Sequence, residues 1–532
     1  LLLTLATVSM RSFARIYISV SEKEQVNLLD NLLKLLASVA ASPRKTGANK
    51  KQHCGVNVAY ALLSAMRLQA SKQSASSSSA IAKKIQEVAQ ALLVGSTPLL
   101  RRAAAELFGH ACRIGGDNYA TSVARGLATQ LEGIKDPDTA SALSLALACV
   151  HRTVGGMALS ACVPSTMKSL LPLITTSLGS SSRVWALHAL TLTANASGFS
   201  FMPHVKLTLK AVLSVLLQDL PEISTPGLSQ CVARMVNASV VILGPELTPG
   251  SQLYQDCELV IKEVSALSIT EPQAQLECVM FAQQLVVFAP HASPTASHVP
   301  MLRATLFSRQ PALRLAAALT LRHFAERAPD IMALQRIEAD LFHLLNDEHN
   351  PAILRAVRLT LERLIEVSCP VSSLRILKLC SRLVMAEKAK ANSVKSEGPK
   401  QGASELSMDV DEEGIDAEED NAAENDDVAG VDMSLTELSI QAHDLAPRYR
   451  TRVFAAECMA NIPSAVGEDS RHVDLTLARD SMERNPEEIG RWLVVQLPEL
   501  ISIGYKVSTG PVHALRPLGL MLLDSTLQKF AN

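Results

Sequence analysis

The sequence predicts an all-α solenoid, a superhelix of stacked antiparallel helix pairs. Three observations predict it. One kind of block recurs: residues 308–330 read SRQPALRLAAALTLRHFAERAPD, and 96–109, 350–367 and 447–462 follow the same plan. Each puts a proline or polar turn first, then an arginine, then small residues and leucines at helical spacing. Pro311 and Pro351 stand about forty residues apart, the period of HEAT-type helical hairpins. The composition agrees: aromatics are only 4% while Leu and Ala abound, which helical stacks tolerate better than sandwiches or propellers do. A chain of 532 residues is also too long for one core.

The elements follow in chain order. Residues 21–40 are amphipathic, with Val26, Leu29, Leu33 and Leu36 on one face. Residues 41–53, with Arg44, Lys45, Lys50 and Lys51, read as a solvated loop, and helix resumes at 56–69. The Ser-rich run 71–81 reads as a flexible linker. From 82 the repeats run with short breaks to 387. Asp136-Pro137 opens one helix, Gly155-Gly156 sets a sharp turn, and 291–300 reads as a proline-bearing loop. In 352–366, Ile353, Val357, Leu361, Leu364 and Ile365 share a face. Burying such side chains is worth ~1.5–3 kcal/mol each, gained only if a neighbouring repeat covers them.

Residues 388–433 break the pattern. From 405 to 432 acids occur with no Lys or Arg, so the segment is expected to be disordered. Asp409, Asp411, Glu412, Glu413, Glu418, Glu419 and Asp420 make it a candidate acidic arm for a basic partner. Ser434 and Glu437 form a capping box that restarts helix. The expected organisation is therefore N-terminal helical repeats (1–70), linker (71–81), repeat array (82–387), acidic insert (388–433) and C-terminal helical repeats (434–532), with both ends read as cuts in a longer protein. The repeat-defining positions are Pro98, Arg101, Pro311, Arg314, Pro351, Arg355, Leu361 and Arg452.

Chemistry is sparse. No P-loop, G-x-S-x-G, H-E-x-x-H or kinase signature occurs, so no catalytic residue and no enzyme activity is expected. The ten cysteines are scattered, without a C-x-x-C, and read as buried thiols; no metal and no cofactor is expected. His343 and His349, six apart across a turn, do not share a face at ligand spacing. Asn195 and Asn237 match glycosylation acceptors but sit in apolar helices, and Trp185 and Trp492 sit in helical stripes as core. A net charge of −2 without a basic stripe argues against nucleic acid, and a small-molecule substrate has no visible site. No apolar run reaches the ~20 residues of a membrane span.

Particular stretches carry more than the period. GGMALSACVPSTM (155–167), VILGPELTPGS (241–251), ECVMFAQQLVVFAP (277–290), SRQPALRLAAALTLRHF (308–324) and APRYRTRVFAAECM (446–459) resemble the HEAT-repeat-containing protein 5 family. The likeness runs over most of 96–500 and implies an internal portion of a much longer α-solenoid. It implies a cytoplasmic, non-catalytic scaffold, peripheral at endosome and trans-Golgi network membranes. The implied partners are the AP-1 clathrin adaptor and its accessory factors, and the implied role is sorting and retrograde transport. The family supplies no catalytic residue to carry over. Two other solenoids are the alternatives. An importin-type receptor is usually acidic throughout, whereas here the pI is about 6.7 and the acid is confined to one insert. A phosphatase-type scaffold subunit would use more regular repeats and no acidic arm.

Overall fold

The computed structural model describes residues 2–40, 47–71, 78–93, 97–175, 178–217, 225–267, 271–385 and 448–531. The acidic-arm residues Asp409 to Asp420 and the capping box at Ser434 lie outside them. Among the described residues every regular element is helical. The chain forms two compact units, Leu1–Val367 and Ser368–Asn532.

In the first unit the helices are α1 (Leu2–Ser19), α2 (Glu22–Ala40), α3 (Gly47–Ser71), α4 (Ser79–Leu93), α5 (Pro98–Gly115) and α6 (Asp117–Leu131). They continue with α7 (Pro137–Val154), α8 (Val163–Thr175), α9 (Ser180–Ser197), α10 (Met202–Leu217), α11 (Leu228–Leu243) and α12 (Gln252–Leu267). Then come α13 (Pro272–Phe288), α14 (Thr295–Thr305), α15 (Pro311–Arg327), α16 (Pro329–Leu334), α17 (Glu338–Asp347) and the start of α18 (Pro351–Met385). Odd-numbered helices from α1 to α15 pack side by side as one layer, and even-numbered helices form the other. Successive pairs α4–α5, α6–α7, α8–α9, α10–α11, α12–α13 and α14–α15 pack as hairpins. This is the all-α solenoid that the repeats predict.

The odd layer is dense because its helices carry small residues where they meet. Ala103, Ala104 and Ala105 of α5 are buried, as are Ala146 and Ala148 of α7. At Gly109 a Cβ would stand 2.6 Å from the Cys149 carbonyl oxygen, so only glycine admits that approach. Odd helices end at sharp turns. Gly155 (φ 68°) and Gly156 (φ 55°) turn the chain after α7, and Gly198 (φ 52°) and Gly244 (φ 49°) do so after α9 and α11. The five stripe residues of α18, Ile353 to Ile365, are all buried, and Thr360 Oγ1 donates to the Ala318 carbonyl of α15 at 3.0 Å.

Four local expectations are corrected. α3 opens at Gly47, so 47–53 is helical: apart from Gly47 at its start nothing there breaks a helix, and basic residues are compatible with one. α4 opens at Ser79, where Ser78 Oγ accepts the Ile81 N–H as a cap, inside the stretch 71–81. Residues 295–300 belong to α14, with Pro294 at its N-cap and Pro300 inside it. Finally, three stretches are long and apolar enough to cross a membrane by length and composition: Gly156–Thr175, Ser180–Leu217 and Leu228–Glu246. Packing within the unit buries 50%, 44% and 78% of the residues in the most apolar 18-residue window of each, Leu159, Leu170, Leu190 and Val236 among the enclosed side chains.

In the second unit the latter part of α18 is followed by α19 (Tyr449–Ala460), α20 (Ile462–Ala465), α21 (Leu475–Arg484), α22 (Leu497–Thr509) and α23 (Arg516–Phe530). Ser372 leaves helical geometry within α18 (φ −154°, ψ 63°). α22 and α23 approach at glycine on both sides, a Cβ on Gly519 falling 2.9 Å from the Gly504 oxygen. Before α22 the chain makes two short 3-10 turns instead of a continuous helix over 486–503. They enclose Trp492, which is fully buried between the guanidiniums of Arg471 (4.5 Å) and Arg491 (4.7 Å).

Candidate protein-interaction surface

The recurrent arginine is a seam residue. Pro98, Pro311 and Pro351 each occupy the first position of a helix, where the missing N–H costs nothing. Three residues on, Arg101 is buried and donates Nη2 to Asp138 Oδ1 at the start of α7 (3.1 Å), with its guanidinium 5.9 Å from the Trp185 ring. Arg314 donates Nη1 to the Ser308 and Arg309 carbonyls (2.8 and 3.1 Å) and Nε to Glu348 (2.7 Å). Arg452, third from Tyr449, donates Nε and Nη2 to the Val384 carbonyl at the end of α18 (3.2 and 2.9 Å). The last carbonyls of a helix have no partner within it, and a guanidinium reaching back supplies one.

Arg183 does the same work and is absent from the sequence expectation. It stands third in from Ser180, is buried, and donates Nε to the Ile174 carbonyl of α8 at 3.0 Å. No proline precedes it, so the proline-first pattern does not find it. Arg355 does not occupy the seam position. Leu354 stands three residues after Pro351, and Arg355, one residue further round, is exposed.

A second set of arginines crosses the open face of the odd layer. Glu106 of α5 is largely buried, and its carboxylate meets Arg67 of α3 (2.7 Å), Arg102 one turn back (3.5 Å) and Arg152 of α7 (3.5 Å). Burial pushes this carboxyl up, but the Arg67 bond and the charges of Arg152, Arg67 and Arg102 outweigh it and hold it below the usual range. Further along, Glu277 of α13 accepts from Arg234 Nη2 (2.7 Å) and from Asn237 Nδ2 (3.0 Å), both on α11. Between the two groups lies His188 of α9. Burial keeps its imidazole neutral, with a pKa lowered to about 4, and the nearby charges of Arg234, Arg102 and Arg152 push the same way. The acids lie at the base and the guanidiniums on top: the glutamate side chains are 8% and 10% exposed, those of Arg67, Arg102, Arg152 and Arg234 61%, 69%, 42% and 36%.

Other features are local. A cleft of about 440 Å³ lies between α4 and α6, lined by Lys83, Glu87, Gln90, Tyr119 and Gly126 among others. His343 pairs with Asp347 (3.3 Å) and packs edge-on against Phe307. Among the described residues no group of three or more His, Cys, Asp or Glu is placed to hold a metal ion. Nine of the ten cysteines are buried and the tenth, Cys54, is half-buried. Asn237 is buried within α11, bonded to Glu277 rather than open to solvent.

The chain is 41% identical over 438 residues to Protein SWEETIE of Arabidopsis thaliana, an alignment covering 81% of this chain. Its residues 492–532 match the model of the Laa1/Sip1/HEATR5 HEAT repeat region. The chain belongs to the Laa1/Sip1/HEATR5 family. It spans 18% of the length of that SWEETIE relative. Among solved structures it is similar to an engineered protein (TM-score 0.43, 14% identity, 93% of this chain and 98% of that one). It is also similar to the karyopherin Kap121p bound to the SUMO protease Ulp1p (TM-score 0.40, 12% identity, 98% and 50%) and to Kap121p bound to Pho4p (0.41, 12%, 98% and 54%). Membership of the Laa1/Sip1/HEATR5 family agrees with the resemblance in the sequence at 155–167, 241–251, 277–290, 308–324 and 446–459.

Proposed function

We propose that this chain is a portion of a non-catalytic HEAT-repeat scaffold of membrane traffic, whose partners are the AP-1 clathrin adaptor and its accessory factors. It acts in the cytoplasm, peripheral to endosome and trans-Golgi network membranes, in sorting and retrograde transport. The observation that carries this reading is the 41% identity to a SWEETIE protein over 438 residues. The structure is compatible with it: stacked helix pairs present long faces, and such faces hold protein segments by complementary side chains. The mechanism is positional, with partners held at distances that the repeat spacing sets.

The test is an affinity capture from cytosol with residues 1–532 immobilised beside a Leu361→Asp variant. Leu361 is fully buried, so the variant loses its fold locally and reports non-specific capture. Enrichment of AP-1 subunits or their accessory proteins by the parent chain alone supports the reading. Enrichment of GTP-loaded Ran would replace it with nuclear transport, and an empty lane would remove the adaptor contact from this portion.

A further inference from the structure

We infer that the arginine face crossing α3, α5, α7 and α11 is a binding surface for an acidic, extended peptide segment of a partner protein. The inference rests on the reading of the chain as a protein-binding scaffold and names the chemistry that one face recognises.

Charge and layering point to it. Arg67, Arg102, Arg152 and Arg234 face solvent above Glu106 and Glu277, four cations over two largely buried acids. The acids are already engaged: Glu106 by three guanidiniums, Glu277 by Arg234 and Asn237. The surface offered to a ligand is therefore cationic. A guanidinium has five N–H donors in a planar fork that suits a carboxylate. Arg102 and Arg152 each reach Glu106 at 3.5 Å, a distance that leaves most of that fork for an incoming acid. A purely structural ion pair would need one arginine; here three converge on one carboxylate, from three neighbouring helices.

Spacing favours an extended peptide. Packed helices lie about 8–10 Å apart, and an extended chain advances about 3.3 Å per residue, so acidic residues at every third position would meet the arginines of α3, α5 and α7 in turn. Nucleic acid is the poorer fit. Its recognition would draw on aromatic platforms between the cations, and Trp185, which packs against His188, is half-buried and engaged with Arg101.

The experiment measures fluorescence anisotropy of a short labelled Glu/Ser peptide and its Gln/Ser counterpart on residues 1–532. It is repeated on a chain lacking 405–432, which takes the chain's own acid out of competition. The variants are Arg102→Gln with Arg152→Gln, which leave the 2.7 Å Arg67–Glu106 pair in place, and, as a charge-matched control, Lys206→Gln with Lys210→Gln on the exposed side of α10. The expected result is salt-sensitive binding of the Glu peptide only, weakened about tenfold or more by the arginine variants and unchanged by the lysine variants. Three results would overturn the inference: no preference for the Glu peptide in either chain, equal loss in both variant pairs, or single-stranded RNA binding more tightly and being lost with the same arginines. Adaptor capture that survives the arginine variants, with no peptide binding, would sink this inference and leave the scaffold reading standing. Peptide binding with an empty adaptor lane would do the reverse.

Discussion

Gly109 of α5 stands against the Cys149 carbonyl oxygen of α7, so close that a Cβ there would lie 2.6 Å from that oxygen. The obstacle is backbone and cannot swing aside. Gly109→Ala is therefore expected to destabilise the chain by about 1–3 kcal/mol, against the helix preference for alanine. Gly126 of α6 is the matched control: it is exposed, and a Cβ there meets nothing within 4 Å. Gly126→Ala is expected to stabilise by about 0.5–1 kcal/mol. Urea unfolding followed by circular dichroism separates the two, and a Gly109→Ala chain as stable as the parent would contradict the close approach of α5 and α7.

The seam arginines predict a directional result. Glu348 accepts from Arg314 Nε (2.7 Å) and from the His349 and Asn350 N–H groups (2.9 Å each), just ahead of α18. Burial raises its pKa, but those bonds outweigh it and hold the carboxyl below its ordinary value. Arg314→Met takes the 2.7 Å guanidinium partner from a largely buried carboxylate, and costs on the order of 3 kcal/mol. Arg355→Met, at an exposed position, is expected to change stability by less than about 0.5 kcal/mol. Equal losses in the two variants, read by thermal melting, would refute the distinction between seam and surface arginines.

The fold was legible because its cause is local and repeated: proline starts, small residues and a leucine stripe recur in the chain at helical spacing. Pro311 and the Ile353-to-Ile365 stripe show this directly. What was not legible depends on register between helices. Arg183 performs the seam role without the proline that would flag it, and Arg355 has the proline but stands one residue off the seam. The arginine face was hidden for the same reason. Arg67, Glu106 and Arg152 are 39 and 46 residues apart, so only the packing of α3, α5 and α7 brings them together, and a near-neutral total charge conceals a local excess.

Buried imidazoles set the acid limit. His151 is buried in α7 with Nε2 2.9 Å from Thr166 Oγ1, and burial lowers its pKa to about 4 from an ordinary value of 6.5. The unfolded chain therefore binds more protons between those values. Stability from this group is complete above pH 6.5 and is lost as the pH falls towards 4. Each unit of separation is worth about 1.4 kcal/mol. His151→Gln keeps a partner for Thr166 and removes the titration, so the loss of stability between pH 7 and pH 5 should shrink by on the order of 1–2 kcal/mol. The check is the urea midpoint of both chains at the two pH values. An unchanged difference would mean that His151 is already protonated in the folded chain or that its site admits water. The neutral, walled-in imidazole that the burial of His151 beside Thr166 implies would then be wrong.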